Sequence, residues 1–422
     1  MNNFLRYRRM ILLMTILIAC VCLLNQCIGN NSNKNEAAAE NNKKRFAGSA
    51  ACASCHKAIY EMHLATAHFH TSEQARAENI KGSFEQGNNS FSFTSGGTVV
   101  MEKKEDGLYQ TVYVDGVQKK SQRFDLIFGS GTKGQSYAAW AGNHLVQLPI
   151  TYFTSADQWS NSPGYPNKIS LNRIVTSRCL ECHATYAKTI SDPTVEAEEY
   201  DKSSMVLSVA CEKCHGPAAQ HVFYQTQHPA DSTARFIINP ARFTRTQSLD
   251  MCALCHGGRL QKTKPSFSFT AGDKLSDFFV IDSTPGNADI IDVHGNQYGL
   301  LAASKCFRES QTLTCMTCHS PHANEKGNTA LFSQRCLSCH SNEHANAVVC
   351  KLTASVGAAI NSQCTNCHMP EQPSRAIAVI LQGADAPTPA FMHTHFIKSY
   401  PAETKKILAY IKKLPHPTAL KN

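Results

Sequence analysis

The chain has 422 residues, of which 42% are apolar and 17% are charged, and its formal net charge is +9 at pH 7. This apolar fraction is slightly low for a chain of this length. Part of the positive charge comes from Arg6, Arg8 and Arg9 near the N-terminus. The remainder is offset by the carboxylates of the groups that the motifs described below are expected to bind. The charge balance therefore does not support a nucleic-acid partner.

The N-terminal residues have the features of an export signal. Positive residues at 6–9 precede an apolar run at 10–24. That run is shorter than the about 20 residues that span a membrane, and it suits a secretory signal, although an uncleaved signal anchor also fits. Cys20 follows a lipoprotein-like Leu-Ile-Ala sequence, and Cys27 is a second candidate. The sequence predicts export to the periplasmic side or cell envelope of a bacterium, with a lipid anchor at Cys20 or Cys27.

A Cys-x-x-Cys-His string occurs seven times. Two thiols at this spacing can both reach the vinyl groups of one porphyrin edge, and the adjacent histidine can bind the iron. A single string would also fit a zinc or disulfide site, but seven strings indicate seven covalently bound haems c, each with an iron. We number the strings motifs 1 to 7: Cys52, Cys55 and His56; Cys179, Cys182 and His183; Cys211, Cys214 and His215; Cys252, Cys255 and His256; Cys315, Cys318 and His319; Cys336, Cys339 and His340; Cys364, Cys367 and His368.

A change of character separates motif 1 from the other motifs. After motif 1 we predict a helix over 58–77. Residues 82–160 contain no motif, and they alternate β-forming residues with glycine turns such as Asp115-Gly116, which predicts a hairpin. The six later motifs follow too closely for independent domains. The predicted fold is mainly α with long loops, a multihaem cytochrome c array with an inserted antiparallel β module.

The predicted segments follow one another along the chain. They are a signal or lipoprotein segment (1–27), a disordered tether (28–45), a first haem segment (46–81), the antiparallel β module (82–160), an array of haems 2 to 7 (161–370) and a C-terminal segment (371–422). The last segment is expected to supply a distal ligand and to end in an amphipathic helix over 401–414 that packs on the domain.

Twelve histidines lie outside the motifs, enough to give every haem a second axial ligand. The favoured distal ligands are His68, His221, His294, His322, His344 and one of His393 or His395. Less favoured are His63, His70, His144, His228 and His416. Arg173, Arg178 and Arg259 are expected to pair with haem propionates, or else to bind an anionic substrate. Cys306 and Cys350 are expected to form a disulfide or to stay free.

Four stretches carry a resemblance to a known family. They are residues 52–56 with His68, the string C-E-K-C-H-G-P-A-A-Q-H at 211–221, and the strings at 313–322 and 364–370. In combination, and with the β module, they resemble the multihaem family that includes the tetrahaem cytochrome of ammonia oxidisers. This resemblance implies stacked, mostly bis-histidine haems in a largely helical scaffold, related in arrangement to hydroxylamine oxidoreductase and octahaem reductases. The chain differs in having His63 in place of a frequent tryptophan, no tetratricopeptide repeats and no C-x-x-C-K string.

Three functions fit these features. The favoured one is electron transfer in respiration, with redox partners such as other cytochromes and quinol-linked or terminal reductase complexes. The second is an oxidoreductase that reduces or oxidises a small nitrogen or sulfur compound at one open haem. The third is a docking subunit of a respiratory complex. The sequence leaves open whether the protein is an enzyme, and it identifies no catalytic residue.

Overall fold

The computed structural model describes residues 46–191, 197–281, 288–341 and 348–413. The predicted signal and tether, together with His344 and His416, lie outside these ranges. The chain divides into two compact units. Of the described residues, the smaller unit includes 46–48 and 217–237, and the larger one includes those within 49–216 and 238–413, among them all seven motifs.

The first helix, α1 (Ser49–Leu64), contains motif 1 and departs from helical backbone angles at His56. The prediction of a helix over 58–77 is therefore wrong in its bounds. The helix ends because the Thr66 hydroxyl donates to the His63 carbonyl at 2.7 Å and accepts the Phe69 amide at 3.2 Å. These bonds satisfy backbone groups outside a helix and turn the chain. A short 3-10 helix (Phe69–Thr71) follows.

Ten strands form two antiparallel sheets between motifs 1 and 2. The strands are β1 (Ser72–Gln74), β2 (Ser90–Ser92), β3 (Thr98–Lys104), β4 (Gly107–Val114), β5 (Val117–Arg123), β6 (Leu126–Phe128), β7 (Gly134–Ala141), β8 (His144–Gln147), β9 (Ile150–Phe153) and β10 (Gln158–Asn161). One sheet has the order β2-β3-β4-β5. The other has the order β1-β6-β7-β9-β10, with β8 also paired to β7. Asp115 and Gly116 both have positive φ between β4 and β5, which confirms the predicted hairpin.

The six-stranded sheet is buried on both faces. One face packs on the four-stranded sheet through a core that includes Met101, Tyr137 and Trp159. The opposite face packs Leu126 and Leu145 against Leu180, in the helix that carries motif 2. Burial of both faces removes apolar surface from water on each side, so the β module is anchored to the motif 2 helix.

The remaining elements are short. They are α2 (Ser177–His183), β11 (Ala184–Thr189), β12 (Tyr200–Leu207), α3 (Cys211–His215), α4 (Ala219–Gln227), α5 (Arg245–His256), β13 (Gln261–Lys262), β14 (Phe279–Val280), α6 (Gln297–Ala302), α7 (Lys305–Glu309), α8 (Cys315–Cys318), α9 (Thr329–His340), α10 (Thr353–Val356), α11 (Cys364–His368), β15 (Glu371–Val379), β16 (Thr388–His393) and α12 (Pro401–Lys413). Hairpins β11–β12 and β15–β16 directly follow motifs 2 and 7.

The predicted fold class is met only in part. The motifs lie on short helices, as expected, but antiparallel strands contribute far more than one inserted module, so a mainly α scaffold is not clearly supported. The C-terminal helix is confirmed over its described residues, with Ile407, Leu408 and Ile411 half-buried. In the part of the chain that the structure describes, no helix is both long and apolar enough to cross a bilayer.

Candidate haem-binding sites

Each motif places its two cysteines within a helix. Cysteines three positions apart on a helix lie one above the other on the same face, which is the arrangement that two adjacent vinyl groups require. All sixteen cysteines in the described ranges are free thiols, and Cys306 and Cys350 are not paired with each other. Within those ranges no group of three or more His, Cys, Asp or Glu side chains could hold a metal ion.

Three histidine pairs connect motif histidines to histidines from distant parts of the chain. The ring centres are 6.2 Å apart for His256 and His68, 6.2 Å for His215 and His322, and 6.0 Å for His319 and His395. In every pair one member is a motif histidine and the other is a predicted distal ligand.

This separation has a direct physical meaning. A histidine nitrogen binds a transition metal at about 2.0 Å and lies about 1.1 Å from the centre of its own ring, so two histidines on opposite sides of one iron place their ring centres about 6 Å apart. Rings stacked in direct contact would lie closer together. The three observed separations therefore fit a bis-histidine iron.

Burial also keeps the distal rings in the form that binds iron. Removal from water lowers the pKa of His68 to about 4, with further lowering by the nearby His256. Burial lowers the pKa of His395 to about 4 in the same way. Both rings are therefore neutral at pH 7, and a neutral imidazole is the metal ligand.

A second geometric feature is shared by five motif histidines, whose Nδ1 atoms are hydrogen bonded to an oxygen. The acceptors are Thr71 O for His183, Ile238 O for His215, Gln297 Oε1 for His256, Val348 O for His340 and Lys398 O for His368. Because a carbonyl oxygen can only accept, Nδ1 must carry the proton, which leaves the Nε2 lone pair for iron.

Two predicted distal ligands show the same feature. The Nδ1 atom of His221 is 2.7 Å from Arg235 O, and that of His393 is 2.5 Å from Met369 O. Both rings therefore present Nε2. His294 is held in a different way, because Asp292 Oδ1 accepts a hydrogen bond from its amide at 2.8 Å. Burial lowers the pKa of His294, and the nearby His183 and His256 lower it further.

Two of the less favoured histidines are engaged through the nitrogen that iron would need. The Nε2 atom of buried His63 bonds Val209 O at 3.2 Å, so it carries the proton. His144 uses both nitrogens, on Glu198 O and the Glu199 carboxylate. His63 and His144 are structural residues in this arrangement, and the structure separates His63 from His68 where the sequence leaves both as candidates.

Thr71 connects motif 2 to the distal histidine beside motif 4. Its carbonyl accepts the His183 Nδ1 proton at 3.1 Å, and its hydroxyl lies 3.1 Å from His183 O and 2.9 Å from His68 O. Sequence reasoning missed Thr71 because a threonine in a turn carries no ligand signal. One residue thus fixes the orientation of two histidines that face different motifs.

Cysteines of different motifs lie in contact. The thiols of four pairs lie close enough to shift one another's pKa: Cys52 and Cys211, Cys182 and Cys255, Cys252 and Cys315, and Cys336 and Cys364. Within one pair the interaction lowers the pKa of Cys211 to about 5 and raises that of Cys52. These contacts bring together the attachment edges of motifs 1 and 3, 2 and 4, 4 and 5, and 6 and 7. Weaker electrostatic contacts join Cys214 to Cys252 and Cys318 to Cys336.

The arginines near motif 2 have contacts within the protein. Arg173 donates to Pro163 O at 3.0 Å and covers the Tyr165 ring. Arg178 lies 3.4 Å from Cys182 Sγ and donates to Leu254 O at 3.0 Å. The pairing of these arginines with haem propionates stays a prediction.

An ion pair connects motifs 5 and 6. Arg335, the residue before motif 6, forms a bidentate pair with Glu325 and donates to Cys318 O. Glu325 also accepts a hydrogen bond at 2.9 Å from the amide of Ser320, the residue that follows His319. Arg335 is the main cause that lowers the Glu325 pKa to about 2. The pair holds the segment that carries the motif 5 histidine.

We expect this ion pair to stabilise the protein in a pH-dependent way. Because the folded-state pKa of Glu325 is below its unfolded value, the contribution is full above about pH 4.5 and is lost as pH falls toward 2. For a partly exposed pair we expect on the order of 1–2 kcal/mol. The free energy of unfolding of E325Q should therefore be lower than wild type at pH 6 and equal to it near pH 2. A constant difference across that range would contradict the assignment.

The comparisons with known proteins found one family and one solved structure that are similar to this chain. The family described as cytochrome c554 and c-prime matches residues 136–216, which include motifs 2 and 3. The solved structure titled outer cell wall cytochrome OcwA is similar in fold, with a TM-score of 0.54 and 15% identity. The match covers 86% of this chain and 81% of OcwA. No curated protein matches the chain.

These findings support a multihaem c-type cytochrome. The motifs and the family match point to covalently bound haem c with iron, and the fold is similar to that of a solved cytochrome. The narrower relation to hydroxylamine oxidoreductase and the tetrahaem cytochrome of ammonia oxidisers stays a prediction.

Proposed function

We propose that the chain is an exported seven-haem c-type cytochrome that transfers electrons in respiration through closely spaced, mostly bis-histidine haems. The observation that carries the proposal is the set of three histidine pairs whose ring centres are 6.0–6.2 Å apart. Each motif would hold one haem by two thioether bonds and supply its proximal ligand. When bound, the haem iron supplies the one-electron chemistry. The protein sets its ligands, burial and surrounding hydrogen bonds.

The distal ligands follow from the contacts. His322, His68 and His395 are assigned to the haems on motifs 3, 4 and 5. His294 is assigned to motif 2, because it lies near His183 and His256, and His256 is already paired with His68. For the other three haems, on motifs 1, 6 and 7, His393, which presents Nε2, is a candidate ligand. His221 and His344 stay predicted distal ligands.

The thiol contacts support a continuous path. The close thiols connect motif 1 to 3, 4 to 5, 6 to 7 and 2 to 4, and weaker electrostatic interactions connect 3 to 4 and 5 to 6. The proposed order is therefore 1, 3, 4, 5, 6, 7, with motif 2 beside motif 4. Motif 4 then has three neighbours, so its haem is the proposed junction of the array. Electrons entering at any haem would reach every other through adjacent haems.

The proposal also includes the export of the protein and its redox partners. Haem c attachment takes place outside the cytoplasm, and the N-terminal signal features and OcwA, whose title names the outer cell wall, support an exported protein, lipid-anchored at Cys20 or Cys27. The proposed partners are other cytochromes and quinol-linked or terminal reductase complexes. Catalysis at an open haem would need cationic donors beside the iron. Arg173 and Arg178 have other contacts, so electron transfer is better supported.

We expect the mature protein, made in a host able to mature cytochromes c, to carry seven haems by intact mass and by haem absorbance. The double variant C252A/C255A removes both attachment points of motif 4 and should carry six. Electron paramagnetic resonance should show mainly low-spin ferric iron, as bis-histidine ligation requires. A wild-type mass equal to that of the polypeptide would refute the proposal, and a dominant high-spin spectrum would favour an enzyme with an open haem.

A further inference from the structure

A charged group lies between motifs 2 and 4. Its members are Arg178, Glu181 and Lys213, which we call the Arg178 cluster. Arg178 Nη1 is 3.3 Å from Glu181 Oε2, and its guanidinium stacks 5.2 Å from the centre of the Phe279 ring. The amine of Lys213 interacts with Glu181 and with the sulfur atoms of both motifs.

The Arg178 cluster is shielded from solvent. The Glu181 side chain is 2% exposed and that of Arg178 is 24% exposed. Glu181 is held by two partners, since its second oxygen accepts the Phe267 amide at 2.9 Å. Arg178 is fixed by Glu181, Cys182 and Leu254 O, as described above. Charges fixed in a shielded site interact more strongly with their surroundings than charges in water.

The position of Arg178 decides what its charge acts on. It lies at the sulfur of Cys182, and the sulfur of Cys255 lies 3.7 Å from the carbonyl oxygen of Glu181, the residue before Cys182. The guanidinium is thus adjacent to the attachment edges of two motifs. Arginine stays protonated in proteins, so this charge is permanent. A haem iron gains one positive charge when it is oxidised, and a fixed positive charge nearby disfavours that state.

We propose that Arg178 raises the reduction potential of the haems on motifs 2 and 4, and that Glu181 opposes it. Arg178 and Glu181 are positioning and tuning residues for the junction of the array, because they set the driving force between the branch haem and the main path. The inference rests on the proposed haem attachment at these two motifs.

The test is a spectroelectrochemical titration of the purified holoprotein at fixed pH and salt. R178Q should lower the reduction potential of one or two haems by about 59 mV, which corresponds to a tenfold change in a one-electron reduction equilibrium. E181Q, which keeps the acceptor for the Phe267 amide, should shift the same haems upward. R178K should have reduction potentials close to those of the wild type, because lysine keeps the positive charge. R173Q is the matched control and should leave every potential unchanged, because the Arg173 guanidinium contacts Pro163 O and the Tyr165 ring, which belong to no motif.

Opposite signs for R178Q and E181Q distinguish an electrostatic role from a general disturbance of packing, which would move both variants the same way. Shifts of the same sign, or none, would overturn the inference. If R178Q does not mature, the E181Q variant decides the test alone. An upward shift of the reduction potential in E181Q supports the inference, and no shift or a downward shift refutes it. Intact mass of each variant shows separately whether motifs 2 and 4 carry haems, so a failure of the proposed function is distinguishable.

Discussion

Substitution of His68 by alanine is expected to convert one of the seven haems from low-spin to high-spin. His68 is the only described histidine whose ring centre lies at the axial separation from His256, at 6.2 Å. Alanine removes the distal nitrogen and leaves five-coordinate iron, which changes the spin state. Because motif 4 is the proposed junction, electron transfer between motifs 3 and 5 should slow by at least tenfold.

The measurement is electron paramagnetic resonance of the ferric protein, with stopped-flow reduction as the second readout. H68M supplies a thioether ligand, so its haem should stay low-spin with a higher potential. H70A is the matched control, because His70 lies two residues away and pairs with Glu73 at 3.5 Å. An unchanged low-spin spectrum in H68A, or a high-spin signal in H70A, would contradict the pairing of His68 with His256.

Substitution of Trp159 by alanine is expected to lower the free energy of unfolding by about 3–5 kcal/mol. Trp159 is 3% exposed and packs with Tyr137 and Phe124 between the two sheets. Its Nε1 atom donates to Ser83 O at 2.7 Å. Alanine would leave a large cavity and an unpaired carbonyl. The close approach of Gly82, where a Cβ would lie 2.5 Å from the ring, shows how tightly this core is filled.

The measurement is denaturant-induced unfolding of the holoprotein followed by circular dichroism. W140A is the matched control, because Trp140 is half-buried at the margin of a different cluster and its ring is covered by Lys202. W140A should cost less than half as much as W159A. The six-stranded sheet also packs on the motif 2 helix, and Phe128 contacts the His183 ring. The W159A spectrum should therefore change at the motif 2 haem first. Equal losses for both variants would show that the sandwich core is not the main source of stability.

Some features were predictable from local pattern alone. The Asp115-Gly116 hairpin follows from two residues that tolerate positive φ, and the C-terminal helix follows from its apolar spacing. The end of α1 was not predictable. A helical pattern continues past Leu64, but the Thr66 hydroxyl binds local backbone groups and turns the chain. Such competition depends on side-chain geometry that composition does not express.

The distal histidines show the same division. The sequence named His68, His322 and His395 as candidates, but nothing in their neighbourhoods said which motif each would face. The sequence favoured His68 over His63 but left both as candidates, and the structure separates them by the bond from His63 Nε2 to Val209 O and by the pairing of His68 with His256. The sequence also did not indicate that Arg178 donates to Leu254 O, a residue far along the chain.

The sequence by itself determined the chemistry, because a thiol pair and a histidine within five consecutive residues are local and need no fold to be recognised. Only the tertiary structure decided which histidine faces which, which motifs are adjacent and where the fixed charges lie. Those contacts join residues far apart in the chain, so they depend on how the sheets and short helices pack, and that packing is a property of the whole chain.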